Sequence, residues 1–236
     1  MSLATLMRRA VIGTMLALAA VMLAAGGCQK PGQATKAPAA ETAKGPAVET
    51  EGWMSLFDGK TLKNWKVTDF GGEGAVTVKD GQLLFDLGAG PLTGVTWTGA
   101  KLPTMNYEAT LEAMRVDGSD FFCALTFPVR DSACSFVCGG WGGTLVGISS
   151  VDGFDASENE TSKFKEFQSG RWYRIHVRVT EKKIEAWIDD DKFVDLEPGE
   201  RKIDVRLEVE GSKPFGMSAF RTKAALRDIR VRPITE

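Results

Sequence analysis

Acidic side chains crowd together in SSVDGFDASENETS, where Asp152, Asp155, Glu158, Asn159 and Glu160 fall within nine residues. Two carboxylates held roughly 5 to 9 Å apart can act as acid and base on a glycosidic bond. Asp155 and Glu158, with Asp120 from a separate segment, are therefore the candidate proton-transfer groups, and Asn159 is a candidate ligand contact. The same oxygens suit a hard cation, Ca2+ first, although the spacing is not that of an EF-hand loop. A solvated acidic loop with no ligand explains the composition equally well. A second stretch, Gly139 to Gly143, surrounds Trp141 with four glycines. Glycine lets backbone approach a ligand closely, and an indole face can stack on the C–H face of a sugar. The competing expectation is a wide turn in which Trp141 folds back over the core. Neither the GxGxxG nor the GxxxxGK spacing of phosphate-binding loops is present.

His176 is the only histidine, and at period 2 it shares a strand face with Arg174 and Arg178. His176 and Arg174 are either ligand contacts, with His176 a lone general base, or partly exposed strand residues. One histidine rules out a His-based metal cluster, so any metal would be held by oxygen. Lys and Arg number 29 against 31 Asp and Glu, for a formal net charge of -2. With no basic stripe, nucleic acid is not an expected partner. A saccharide is the expected ligand class, and the sequence says nothing of oligomeric state.

The elements that must position these groups are strands. WYRIHVRVTEKKIEAWIDD, Trp172 to Asp190, sets Tyr173, Ile175, Val177 and Val179 on one face, then resumes with Ile184, Ala186 and Ile188. It predicts a hairpin with one buried face, which needs a second sheet to cover it. Val76 to Leu87 predicts another hairpin, with Asp80-Gly81 as a type I′ turn. Tyr107 to Val116, Phe121 to Phe127, Ala133 to Cys138, Leu145 to Ile148, Ile203 to Val209, Phe215 to Phe220 and Leu226 to Val231 read as further strands. No stretch after Gly52 sustains a helical period, so the expected fold is all-β, a sandwich of two antiparallel sheets.

The chain contains four cysteines. Arg8-Arg9, the uncharged run Ala10 to Gly27 and the small residues before Cys28 have the layout of an export signal over residues 1–27. Such an ending resembles a bacterial lipoprotein signal, which implies lipidation of Cys28, membrane anchorage and a periplasmic or outer-membrane location. Residues 28–51, rich in Pro, Ala, Thr, Lys and Glu, read as a flexible tether, leaving 52–236 as the β-sandwich domain. Cys123, Cys134 and Cys138 remain, an odd number. A hairpin centred between Arg130 and Asp131 sets Cys123 opposite Cys138, at about 4.5 Å between Cα atoms if the pair is non-hydrogen-bonded, within reach of a disulfide. Three unpaired thiols packed as small hydrophobes are the alternative.

GWMSLFDGKTLKNWKV, the 172–190 hairpin and the closing LRDIRV resemble the 3-keto-disaccharide hydrolase family over roughly Gly52 to Pro233. The resemblance implies a concanavalin A-like jelly roll, in which Leu56, Phe57 and Trp65 seal the sandwich, and a glycan-directed activity. Members commonly carry Gln, then His two residues on, then Gly in a late strand. Here those positions hold Ser218, Phe220 and Arg221, and CSFVCGGWGG lacks the usual acidic residue after the mid-domain aromatic. A phenyl ring neither binds a metal nor moves a proton. Two functions follow: hydrolysis or elimination on a modified disaccharide, or carbohydrate binding without turnover at Trp141 and the acidic loop.

Overall fold

The computed structural model describes residues 52–235; the segments read as export signal, lipidation site and tether lie outside the described residues. Among the described residues fifteen strands run in chain order: β1 (Met54–Ser55), β2 (Trp65–Val67), β3 (Val76–Lys79), β4 (Gln82–Phe85), β5 (Leu92–Trp97), β6 (Tyr107–Gly118), β7 (Cys123–Val129), β8 (Ser132–Gly139), β9 (Leu145–Ser149), β10 (Lys163–Phe164), β11 (Trp172–Val179), β12 (Ile184–Ile188), β13 (Asp191–Leu196), β14 (Gly216–Phe220) and β15 (Thr222–Pro233). They form two antiparallel sheets. Sheet A runs β13-β12-β11-β6-β15-β4-β3 with β1 added on β15, and sheet B runs β10-β9-β8-β7-β14-β5-β2. The architecture is the jelly-roll sandwich expected from the alternating pattern. No helix among the described residues is long and apolar enough to cross a membrane.

The inner faces follow the sequence period. Tyr107, Ala109, Leu111 and Ala113 of β6 and Tyr173, Ile175, Val177 and Val179 of β11 are buried in one core with Cys123, Leu125 and Phe127 of β7 and Phe136 of β8. Leu56, Phe57 and Trp65 join that core, and the Trp65 indole N–H donates to the Leu56 carbonyl at 2.8 Å. Asp80 and Gly81 take φ of 53° and 77°, the left-handed pair a type I′ turn requires. Cys123 pairs with Cys138, and Cys134 with Phe127, in the expected register. The three thiols are nevertheless unbridged and buried. Burial pushes the Cys123 thiol up to about 12 and raises Cys134 and Cys138 as well, so they pack as small apolar groups.

One expected strand needs correction, and one observed strand has no counterpart in the alternating pattern. Ile203 to Val209 is not a strand: Ile203 makes a single bridge with Val151, and Leu207–Ser212 turns into a 3-10 helix. The segment does not enter a sheet; it crosses the outer face of sheet B, where the Thr96 hydroxyl donates to the Gly211 carbonyl. The other departure is β5, whose residues are all buried, so its Leu-Thr-Gly-Val-Thr-Trp run shows no in-out alternation.

Candidate functional site

Sheet B turns small residues outward. Thr126, Ser135 and Ser149 stand in register across β7, β8 and β9, and Ser218, Ala124 and Val137 form the next row across β14, β7 and β8. Phe220 pairs with Leu92 beyond them. Small side chains leave room above the sheet, and the segments around 150–162 and 203–213 roof part of it. Ser150 donates to the Asp204 carbonyl, and the Ile148 amide donates to the Thr161 hydroxyl. What the roof leaves open is a cavity of about 450 Å3, floored by Ala124, Ser135, Val137 and Ser149. Its walls are Phe70, Leu92, Phe121, Phe220 and Val209, with Asp120, Trp141, Arg206 and Glu208 also facing it. Such a volume suits a small ligand.

The Gly139–Gly143 segment brings Trp141 to this cavity through backbone that few sequences tolerate. Trp141 sits at φ 48° and ψ 53° and remains 44% exposed, so the folded-back alternative does not hold. Beneath the loop lies Arg115, only 6% exposed. Its guanidinium donates to the carbonyls of Gly143 at 2.9 Å and Asp120 at 3.1 Å, and lies near the Phe122 and Phe167 rings. Burial lowers its pKa. A Cβ on Gly139 would come within 2.7 Å of that guanidinium, and one on Gly143 within 2.8 Å of the Ser119 carbonyl. Glycine at both positions therefore lets a buried cation fasten the loop from below. Asp120 is tied to the same loop: one carboxylate oxygen accepts the Phe121 N–H at 2.8 Å and the other the Gly142 N–H at 3.0 Å. A carboxylate accepts about four hydrogen bonds, so Asp120 keeps capacity for a ligand.

Arg206 forms the opposite side. It bonds Asp155 at 2.5 Å and Glu208 at 2.8 Å, and its guanidinium lies 5.8 Å from the Trp141 ring. The Arg206 hydrogen bond holds the Glu208 carboxyl below its usual range, and Glu208 raises Arg206 in return. Glu208 went unnoticed in the sequence because Ile203 to Val209 scans as a strand.

The other sequence candidates do not converge here. Asp155 and Glu158 line a separate depression of about 360 Å3 with Lys202 and Asp204; only Arg206 belongs to both. Asn159 is spent on structure: its amide N–H groups donate to the carbonyls of Ile148, Phe154 and Asp155, and its oxygen accepts from the Thr161 amide and hydroxyl. Asp152 and Glu160 both bind Arg201, which lowers both carboxyls. The loop is thus clamped by arginines, and among the described residues no three His, Cys, Asp or Glu gather as a Ca2+ site would need. Arg174 and His176 lie on β11 of sheet A, facing away from the core, so they do not reach the cavity.

The fold and the site together define a β-sandwich with a cavity on the outer face of one sheet. Residues 52–232 match the model of the 3-keto-alpha-glucoside-1,2-lyase-like domain, and the chain belongs to that family. No curated protein matches its sequence. Among solved structures, a Crh5 transglycosylase in complex with NAG is similar at 10% identity and a TM-score of 0.55, covering 78% of this chain and 85% of that one. A structure described with endo-acting O-glycanases, expressed by human gut microbiota to initiate mucin breakdown, is similar at 13% identity and a TM-score of 0.52, covering 77% and 100%. At such identities the likeness extends to the fold alone.

Proposed function

We propose that the domain recognises a carbohydrate in the cavity over sheet B and holds it without turnover. The observation that carries this reading is the pairing of a half-exposed Trp141 with Asp120 and Arg206 around one floor of small residues. An aromatic face and a few directed polar groups are what a sugar ring requires. Membership of a family described by keto-glucoside chemistry makes a glucoside, oxidised or not, the first ligand to try.

Cleavage is the second interpretation, favoured by the two carboxylates, Asp120 and Glu208, that share the cavity. Elimination from a 3-keto-glucoside would need a base to take the C2 proton as the C1–O bond breaks, and an acid to protonate the departing oxygen. Asp120 could serve as the base. Glu208, kept ionised by Arg206, is a poor proton donor at neutral pH, and Phe220 has no proton to give. Incubation with methyl and phenyl 3-keto-α-glucosides decides between the two. Binding without released alcohol or phenol is expected; release that disappears in Asp120→Asn would establish turnover.

We also propose that residues 1–27 direct export and that Cys28 carries lipid, on the strength of the sequence pattern. Labelled palmitate should be incorporated by the wild-type chain and not by Cys28→Ala.

A further inference from the structure

The cavity is not uniform, and its gradient identifies more than a sugar. At one end Ser135 and Ser149 stand side by side on β8 and β9. The Ser135 hydroxyl is paired with Thr126 at 2.8 Å, whereas the Ser149 hydroxyl, on a residue 2% exposed, has no protein partner. One row along, Ala124 and Val137 carry no polar side-chain atom. At the far end Phe121 and Phe220 lie 5.7 Å apart at 35°, beside Leu92, which pairs with Phe220; with Phe70 they belong to a small apolar cluster, separate from the main core, that also takes in Val205, Val209 and, next to Ser135 on β8, Ala133. These three rings are only partly buried.

A hexose can satisfy the serine end and the Asp120 rim, but hydroxyls laid on the Phe121 and Phe220 rings would be stripped of water and gain no bond from those rings. An aromatic group answers that end, because tilted rings at these separations attract one another and water is released from both. We propose that the ligand is a glycoside with an aromatic aglycone, the aglycone on Phe121, Phe220 and Leu92 and the sugar between Ser149 and Asp120. This inference rests on the carbohydrate reading above and makes the aromatic wall its specificity determinant.

Intrinsic tryptophan fluorescence or calorimetry on the full chain, with methyl α-glucoside, phenyl α-glucoside and phenol as probes, tests it. The phenyl glucoside should bind at least tenfold tighter than the methyl glucoside, and phenol alone at least tenfold weaker than the phenyl glucoside. Phe220→His, which keeps a ring but makes it polar, should shrink the phenyl advantage to below threefold. Ser149→Ala should weaken the phenyl glucoside and leave phenol unaltered, and circular dichroism of both variants shows whether they fold. Equal affinity for methyl and phenyl glucosides would overturn the aglycone assignment while leaving carbohydrate binding intact. Phenol matching phenyl glucoside, or no binding by either glucoside, would overturn the carbohydrate reading itself.

Discussion

The two sheets share one core and present opposite kinds of outer face. On sheet A the outward residues are long and charged. Glu108 bonds Arg232 and lies 3.7 Å from His176, Glu112 bonds Arg227, and Glu185 bonds Lys192. Its tryptophans are taken up by the same ladder: Trp172 lies under Arg227 at 4.0 Å, and Trp187 stacks on His176 at 4.8 Å. On sheet B the outward residues are short, and the hydroxyls of Ser149 and Ser218 have no protein partner. Sheet A also leaves His176 Nε2 and Arg178 Nε without a hydrogen-bond partner, but its long, mostly paired side chains fill the face and leave little space for a ligand. A face of small residues has space and unspent bonding capacity. Histidine, arginine and tryptophan on β11 and β12 look more like a site by residue type, yet it is the serine and alanine face that has the cavity.

The contrast breaks most sharply at Arg115, the one buried cation among the described residues. Arg115→Met keeps the stem against Phe122 and Phe167 but strands the Gly143 and Asp120 carbonyls. It should cost about 2 to 4 kcal/mol in denaturant unfolding and weaken glycoside binding more than tenfold, as Trp141 and Asp120 lose their support. Unchanged affinity would show that the loop is held by other means.

On the opposite face, Glu108 supplies a stability effect with no binding effect. His176 first, then Arg232, holds its carboxyl down at about 2 from the usual 4.5, against the opposing push of burial. A depressed carboxylate contributes stability above its unfolded value and loses it as pH falls through its folded value. Unfolding free energy should therefore drop between pH 4.5 and 2 by on the order of 2 kcal/mol more in wild type than in Glu108→Gln. An identical acid profile in the two proteins would remove Glu108 from the account.

The core between the faces should be chemically silent. Cys123, Cys134 and Cys138 are expected to resist alkylation in the folded, non-reduced protein and to be modified once it is unfolded. A peptide linking Cys123 to Cys138 would show instead that the opposed pair oxidises. The smallest effect belongs to Trp187→Ala, which removes the ring from the charged ladder and should change glycoside affinity by less than twofold.

The sequence carried β3, β4, β6, β11, β12 and β15 of sheet A because each has one apolar and one polar face, as in Tyr107 to Val116, and missed β1 and β13, which lack that alternation. It carried the 123–138 register because the turn between Arg130 and Asp131 counts it out. β5 was invisible, since a strand covered on both sides loses its alternation, and the 203–209 segment alternated without entering a sheet. Within the site, Trp141 and Asp120 stood out by type and setting. Ser135, Ser149 and Val137 did not: small residues become a cavity floor only when a roof closes over them, and that depends on contacts between segments remote in sequence. The acidic loop misled for the converse reason, because Arg201 and Arg206, which neutralise it, lie some fifty residues away.

The most direct test of the cavity is a crystal structure of the protein grown with phenyl α-glucoside. The account predicts the phenyl ring against Phe121 and Phe220, with the sugar within hydrogen-bond distance of Asp120 or Ser149. A glucoside lying instead on Trp172 or Trp187 of sheet A would contradict it.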